Sequence, residues 1–166
     1  MRILGIDPGT INLGYGVVDG EEEIHMVDCG VITLSARLPM EERLRSLYNE
    51  LSKIIAKHKP NEVAIEEPFI GHNVRSAFAI GRAQAMAILA AVNQGLPIYY
   101  YSPAKIKKQI TGYGQSDKQQ VQEMVRVQLE LSELPQSSDA ADALAVAMCH
   151  IQQMRLSQWL TEHTPK

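Results

Sequence analysis

Two apolar runs in this chain each end on a carboxylate, and an alanine-rich helix carries two more. Asp7 closes Arg2-Ile3-Leu4-Gly5-Ile6, and Glu66 closes Val63-Ala64-Ile65. Asp139 and Asp142 stand three apart in Ser138-Asp-Ala-Ala-Asp-Ala-Leu-Ala-Val. An unpaired carboxylate in a core costs several kcal/mol or moves its pKa until it is neutral. A fold built on these segments must therefore compensate the acids. Gathered around divalent cations, all four would form an oxygen-ligand site suited to phosphate chemistry.

Length fits such a site on a single scaffold: 166 residues give one domain a substantial core and are few for two. An apolar fraction of 45% with 21% charged residues is that of a soluble globular chain. Met1-Arg2 runs straight into what reads as a core strand, so no signal peptide is expected. The most apolar long stretch, residues 76–93, contains Arg82, Gln84 and Asn93 and makes a poor membrane span. Cys29 and Cys149 form no C-x-x-C pair, so reduced thiols and a cytoplasmic setting are expected, without zinc. The five histidines are scattered and show no metalloprotease pattern. A net charge of −3 looks wrong for a nucleic-acid binder. About two bound divalent cations would reverse that sign, and residues 101–127 are locally basic through Lys105, Lys107, Lys108, Lys118 and Arg126. The overall charge therefore excludes little.

Alternation predicts three strands at the start: Arg2–Asp7, a Pro8-Gly9-Thr10 turn, Leu13–Asp19, then a hairpin into Ile24–Leu34. Helical spacing runs from Pro39 to His58, with Pro60 as its stop. Glu62–Glu66 then reads as a short buried strand reached by a parallel crossover. A long helix is expected from Asn73 to Asn93, and a strand from Leu96 to Tyr101. Beyond these come a short basic helix over 103–110, a Gly112-Tyr-Gly114 loop, a helix capped by Ser116 or Asp117 to Leu131, and a last helix from Ser137-Ser138 to Arg155. The polar tail 156–166 should be partly frayed. The sum is one mixed α/β sheet flanked by helices.

Each acid taken alone has a plainer explanation. Asp7 is a turn former before Pro-Gly, Glu66 a solvated strand end, and Asp139 a helix-entry residue. Asp142 is harder to dismiss, because positions 139, 142, 146 and 149 share one helix face that continues into apolar residues. Gly14 and Gly16 strip the side chains from one face of the second strand. That face is expected to leave room for metal and phosphate near Asp7. Alternation sends Glu66 and Glu67 to opposite sides of the sheet, and Glu66 is the one expected to join Asp7.

Together, the segments resemble the RuvC-type Holliday junction resolvases of bacteria. The resemblance is carried by Ile3-Leu-Gly-Ile-Asp7-Pro-Gly-Thr with Gly14-Tyr-Gly16-Val, by Ala64-Ile-Glu66, and by Asp139-Ala-Ala-Asp142-Ala-Leu-Ala. It extends through Asn73-Val-Arg-Ser-Ala, Gly81-Arg-Ala-Gln-Ala, Gly112-Tyr-Gly and Lys118-Gln-Gln-Val, in order, over about residues 1–152. It implies a ribonuclease H-like fold with a mixed five-stranded sheet flanked by helices, in a nuclease domain of residues 1–155. It also implies Asp7, Glu66, Asp139 and Asp142 as catalytic and metal-holding acids, with about two Mg²⁺ ions that Mn²⁺ could replace. The implied reaction is symmetric nicking of two like-polarity strands of four-way junction DNA, leaving 5′-phosphate and 3′-hydroxyl ends, in recombination and repair. Implied partners are a second copy of the chain and the RuvA-RuvB branch-migration complex. Lys107 and Lys118 become phosphate contacts beside the scissile bond, with Arg75 and Lys108 as further candidates. Phe69 becomes a stacking platform for an unpaired base. The alanine-rich helix is a candidate dimer contact, although internal packing would explain its small residues equally well.

Two other readings use the same residues. Asp7-Pro-Gly-Thr after a strand also resembles the phosphate loop of actin-like and sugar-kinase ATPases, which need a second lobe that this length does not hold. A catalytically silent junction-binding protein is the other, and four intact acids speak against it.

Overall fold

Strand alternation and turn chemistry set the first third of the molecule. The computed structural model describes residues 1–20, 23–67 and 74–163. Strands β1 (Arg2–Asp7), β2 (Asn12–Gly20) and β3 (Ile24–Thr33) form an antiparallel meander. Helix α1 (Met40–His58) carries the chain over one face to β4 (Glu62–Glu66), which pairs parallel to β1. Lys59 takes the left-handed conformation (φ 49°) that ends α1, and Pro60 prevents its return. Helix α2 (Val74–Val92) makes the second crossover to β5 (Ile98–Tyr101), parallel to β4. The finished sheet runs β3-β2-β1-β4-β5.

Three further helices, α3 (Pro103–Thr111), α4 (Lys118–Gln128) and α5 (Ser138–His163), follow β5. The apolar residues divide into two cores. Leu4, Ile6, Val17, Val63 and Ile65 pack with Leu47, Leu51 and Ile55 of α1 and Ala83, Ala87, Ala90 and Ala91 of α2. Ile3, Val18 and Ala64 pack instead with α3, α4 and α5, through Ile106, Ile110, Val121, Val125, Leu144 and Met148. The alanine face of α2 is thus spent on internal packing. Its outer side leaves Val74, Phe78, Leu89 and Val92 exposed.

Helix α5 lies on the sheet with almost no side chain between. A Cβ added to Gly5 would run into the Ala143 carbonyl, one on Gly14 into the Asp139 carbonyl, and one on Gly16 into the Leu144 backbone. Register places Gly5 opposite Gly16 and Asp7 opposite Gly14, so the three glycines form one bare patch. This corrects the expectation of open space for metal and phosphate there. The helix backbone fills the patch, and the acids line its edge.

Two boundaries also move. Helix α4 stops at Gln128, where Leu129 caps it and Glu130 turns to positive φ (53°), short of the expected Leu131. Helix α5 runs on past the expected end at Arg155 to His163. Hydroxyls of Ser157 and Thr161 donate to the carbonyls of Gln153 and Ser157, and the Trp159 and His163 rings stack at 4.7 Å. The helix continues because no Gly or Pro interrupts it before Pro165 and the Trp159–His163 stack joins side chains one turn apart, whereas the hydroxyl back-bonds add no helix stability of their own. Gly5→Ala should therefore lower stability by about 3 kcal/mol or more, read from urea unfolding midpoints, because a methyl there must lift α5 from the sheet. A loss under about 0.5 kcal/mol, the scale of neutral surface changes, would refute this account of the contact.

Candidate active site

Local structure delivers the acids in two pairs, one at strand ends and one at the start of a helix. Asp7 and Glu66 are the last residues of β1 and β4, parallel neighbours whose Ile6 and Ile65 are partners in register. Both therefore reach the carboxyl end of the sheet on the α5 side. Glu67 is exposed, and its backbone N–H donates to the Tyr101 carbonyl at 2.9 Å. At the start of α5, the Ser137 hydroxyl accepts from the Asp139 N–H at 3.2 Å. Ser137 thus takes the capping work that Asp139 could have done, and the Asp139 carboxylate is left for the cluster. Asp142 follows one turn later on the same face.

Ligand-capable oxygens of Asp7, Asp139 and Asp142 all lie within 4.8 Å of one another. Glu66 joins Asp7 and Asp142 in lining a cavity of about 230 Å³, which Lys107 and Lys118 line as well. A larger depression of about 790 Å³ opens around Arg2, Asp19 and Lys59. There Arg2 and Asp19 already satisfy each other at 2.7 Å, and among the described residues no group of three acids within ligand range lies there.

The electrostatics mark the smaller cavity as short of positive charge. Burial, and then the charges of Asp142 and Asp139, push Asp7 up to about 7, against the pull of Lys118. Burial, and then Asp7 and Asp142, push Glu66 up to about 8, against Lys118 and Lys107. Hard carboxylate oxygens this close, with Asp7 among them and Glu66 beside them driven towards protonation, are a donor set that fits a hard divalent cation such as Mg²⁺ or Mn²⁺.

Lys118 stands at the first residue of α4, where Asp117 makes a capping box with Gln120. Its ammonium donates to Asp142 Oδ2 at 3.0 Å. Lys107 is half-buried at the cavity wall. Lys108 and Arg75 are exposed and do not line the cavity. Phe69 lies outside the described residues.

One chain of hydrogen bonds farther along α5 went unread in the sequence. Tyr101 Oη lies 2.7 Å from His150 Nδ1, and His150 Nε2 lies 2.6 Å from Glu62 Oε2. It fastens β5, α5 and β4 together, and three of the site's cavity-lining acids and lysines stand on or just after these elements. The available signal was a histidine within the alanine-rich run of α5 and a glutamate opening a buried strand.

Residues 3–150 match the family model for the crossover junction endodeoxyribonuclease RuvC. The chain belongs to the RuvC family. A RuvC from Dehalococcoides mccartyi (strain BAV1) is 48% identical over 163 residues, 98% of each chain. Among solved structures, T. thermophilus RuvC in complex with Holliday junction substrate superposes with a TM-score of 0.89 at 34% identity, covering 95% of this chain and 96% of that one. The yeast mitochondrial Holliday junction resolvase Ydc2 shares the fold, with a TM-score of 0.64 at 17% identity, over 95% of this chain and 82% of that one. The mixed five-stranded sheet flanked by helices is thus the ribonuclease H-like fold of RuvC and related resolvases. Among the described residues no helix is long and apolar enough to cross a membrane.

The shifted acids make stability depend on pH. Their folded pKa values are raised, so the folded state holds protons more tightly than the unfolded chain. Their contribution is complete at low pH and is lost as pH rises from 3.8 through about 7 for Asp7 and from 4.5 through about 8 for Glu66. Metal-stripped protein should accordingly melt lower at pH 8 than at pH 6. Asp7→Asn should flatten that slope, and Mg²⁺ should raise the wild-type melting temperature most at pH 8. Calorimetric scans at both pH values check this, and a wild-type slope unchanged by Asp7→Asn would contradict it.

Proposed function

We propose that this chain resolves Holliday junctions as a metal-dependent endonuclease, nicking two like-polarity strands of a four-way DNA junction symmetrically. The observation that carries the reading is the convergence of Asp7, Asp139 and Asp142, with Glu66 beside them, in a cavity walled by two lysines. In this reading all four acids hold about two Mg²⁺ ions, and Mn²⁺ can substitute. When bound, such ions supply the Lewis acidity that activates water for attack and offsets charge on the leaving 3′ oxygen. Asp7 is central because it belongs to the aspartate trio and also adjoins Glu66. Glu66 and Asp142 complete the two ligand sets, and Asp139 serves as a ligand or as proton acceptor from the water. The products carry 5′-phosphate and 3′-hydroxyl ends, ready for ligation in recombination and repair.

Lys107 and Lys118 meet the phosphates that flank the scissile bond, and the exposed Arg75 and Lys108 hold the DNA backbone farther out. Phe69 stacks on a base unpaired at the branch. Two active sites come from a two-fold homodimer matched to the symmetry of the junction. The exposed side of α2 supports that contact: Val74, Phe78, Leu89 and Val92 point outwards, and a Cβ on Gly81 would meet nothing within 4 Å. Residues 1–155 form the nuclease domain, the protein works in the cytoplasm, and the RuvA-RuvB branch-migration complex is its partner.

A synthetic four-way junction and a linear duplex of matching sequence, each with and without Mg²⁺, test the activity. Paired nicks should appear in the junction alone and only with metal. Asp7→Asn should slow cleavage at least about a hundredfold while junction binding persists. Equal cutting of the duplex would remove the junction-selective reading. Phe78→Asp should shift the protein from dimer to monomer in sedimentation and abolish paired nicking, whereas an unchanged sedimentation coefficient would move the dimer contact elsewhere.

A further inference from the structure

We infer that Lys118 and the divalent metal exchange for one another on Asp142, so that metal entry releases this lysine to the DNA. The inference deepens the metal-site reading above and rests on it. Asp142 serves two arrangements at once. Its Oδ2 takes the Lys118 ammonium at 3.0 Å, and its carboxylate is one of three whose oxygens lie within 4.8 Å of one another. A divalent ion held among those oxygens would sit close to the ammonium, and the two positive charges would repel across a half-buried cavity. Asp142 therefore serves one cation or the other.

The lysine is built to leave. Its side chain is 67% exposed, against 15% for Asp142, so the ion pair holds its tip and packing does not. Its backbone is fixed, because Asp117 Oδ1 accepts from the Gln120 N–H at 2.8 Å and the Gln120 side chain bonds back to the Asp117 N–H at 3.0 Å. Only the flexible four-carbon stem has to swing. Lys107 lines the same cavity, yet among the described residues it makes no ion pair with an acid. The two lysines therefore differ in kind. Lys107 adds to the field of the site, and Lys118 occupies one of its carboxylates. Once displaced, Lys118 stands at the cavity mouth, free to meet a phosphate. Metal and DNA binding are then coupled, and the coupling is reciprocal.

Calorimetric titration with Mn²⁺ alone, without DNA, separates these effects in wild type, Lys118→Met and Lys107→Met, all full-length. Methionine keeps the stem and removes the charge. Lys118→Met should bind Mn²⁺ about three- to tenfold tighter than wild type, and Lys107→Met less than about twofold tighter. Equal gains in the two variants, or none for Lys118→Met, would overturn the exchange while leaving the metal site standing. Failure of wild type to bind Mn²⁺ at all would instead sink the metal-site reading itself. With a junction present, Ca²⁺ should raise the affinity of wild type for DNA by a larger factor than that of Lys118→Met. Identical factors would overturn the release of the lysine to the DNA.

Discussion

Backbone-to-backbone contact between β1–β2 and α5 decides where every acid stands. Gly5, Gly14 and Gly16 bare a patch of sheet, and the carbonyls of Ala143 and Asp139 and the Leu144 backbone come to rest on it. Ala143 and Ala147 are buried at that face, so neither surface has bulk to hold the other away. An ordinary helix-on-sheet contact keeps larger side chains between the layers and would set the helix several ångströms farther out. At that distance Asp139 and Asp142 would not share ligand range with Asp7. Close approach is therefore as necessary to the cluster as the carboxylates themselves.

That proximity carries an electrostatic consequence. Burial and mutual repulsion drive Asp7 to about 7 and Glu66 to about 8, so the folded chain gathers charge that it cannot itself neutralise. Lys118 offsets part of it from the rim, and Lys107 does so more distantly. A site short of positive charge and open to solvent on its lysine side favours cations and, through them, phosphate. The strain is tolerated because the apolar contacts on both faces of the sheet hold the strand ends and the start of α5 in place.

Elements fixed by local chemistry could be read directly from the chain. The meander of β1 to β3, the Pro-limited α1, the buried β4 and the Asp117-capped α4 follow from alternation, helical spacing and capping residues. Tertiary contacts were harder to foresee. The glycines of β2 looked like open space and proved to be a seat for α5, because a missing side chain does not say what fills the gap. The length of α5 past Arg155 goes with an unbroken run free of Gly and Pro and a ring stack between residues four apart, which a polar composition conceals. The Tyr101–His150–Glu62 chain joins residues 49 and 88 positions apart, beyond any local pattern.

By itself, the sequence determined which acids this protein has, that each ends or opens an element, and which family it resembles, because strand ends and helix starts follow from neighbouring residues. Tertiary structure alone decided that three of the acids share ligand range, that a helix backbone fills the glycine patch beside them, and that Lys118 already holds Asp142. Those facts depend on how closely a helix settles on a sheet and which way a long side chain reaches. Both are set by packing across the fold, where no stretch of neighbouring residues has a say.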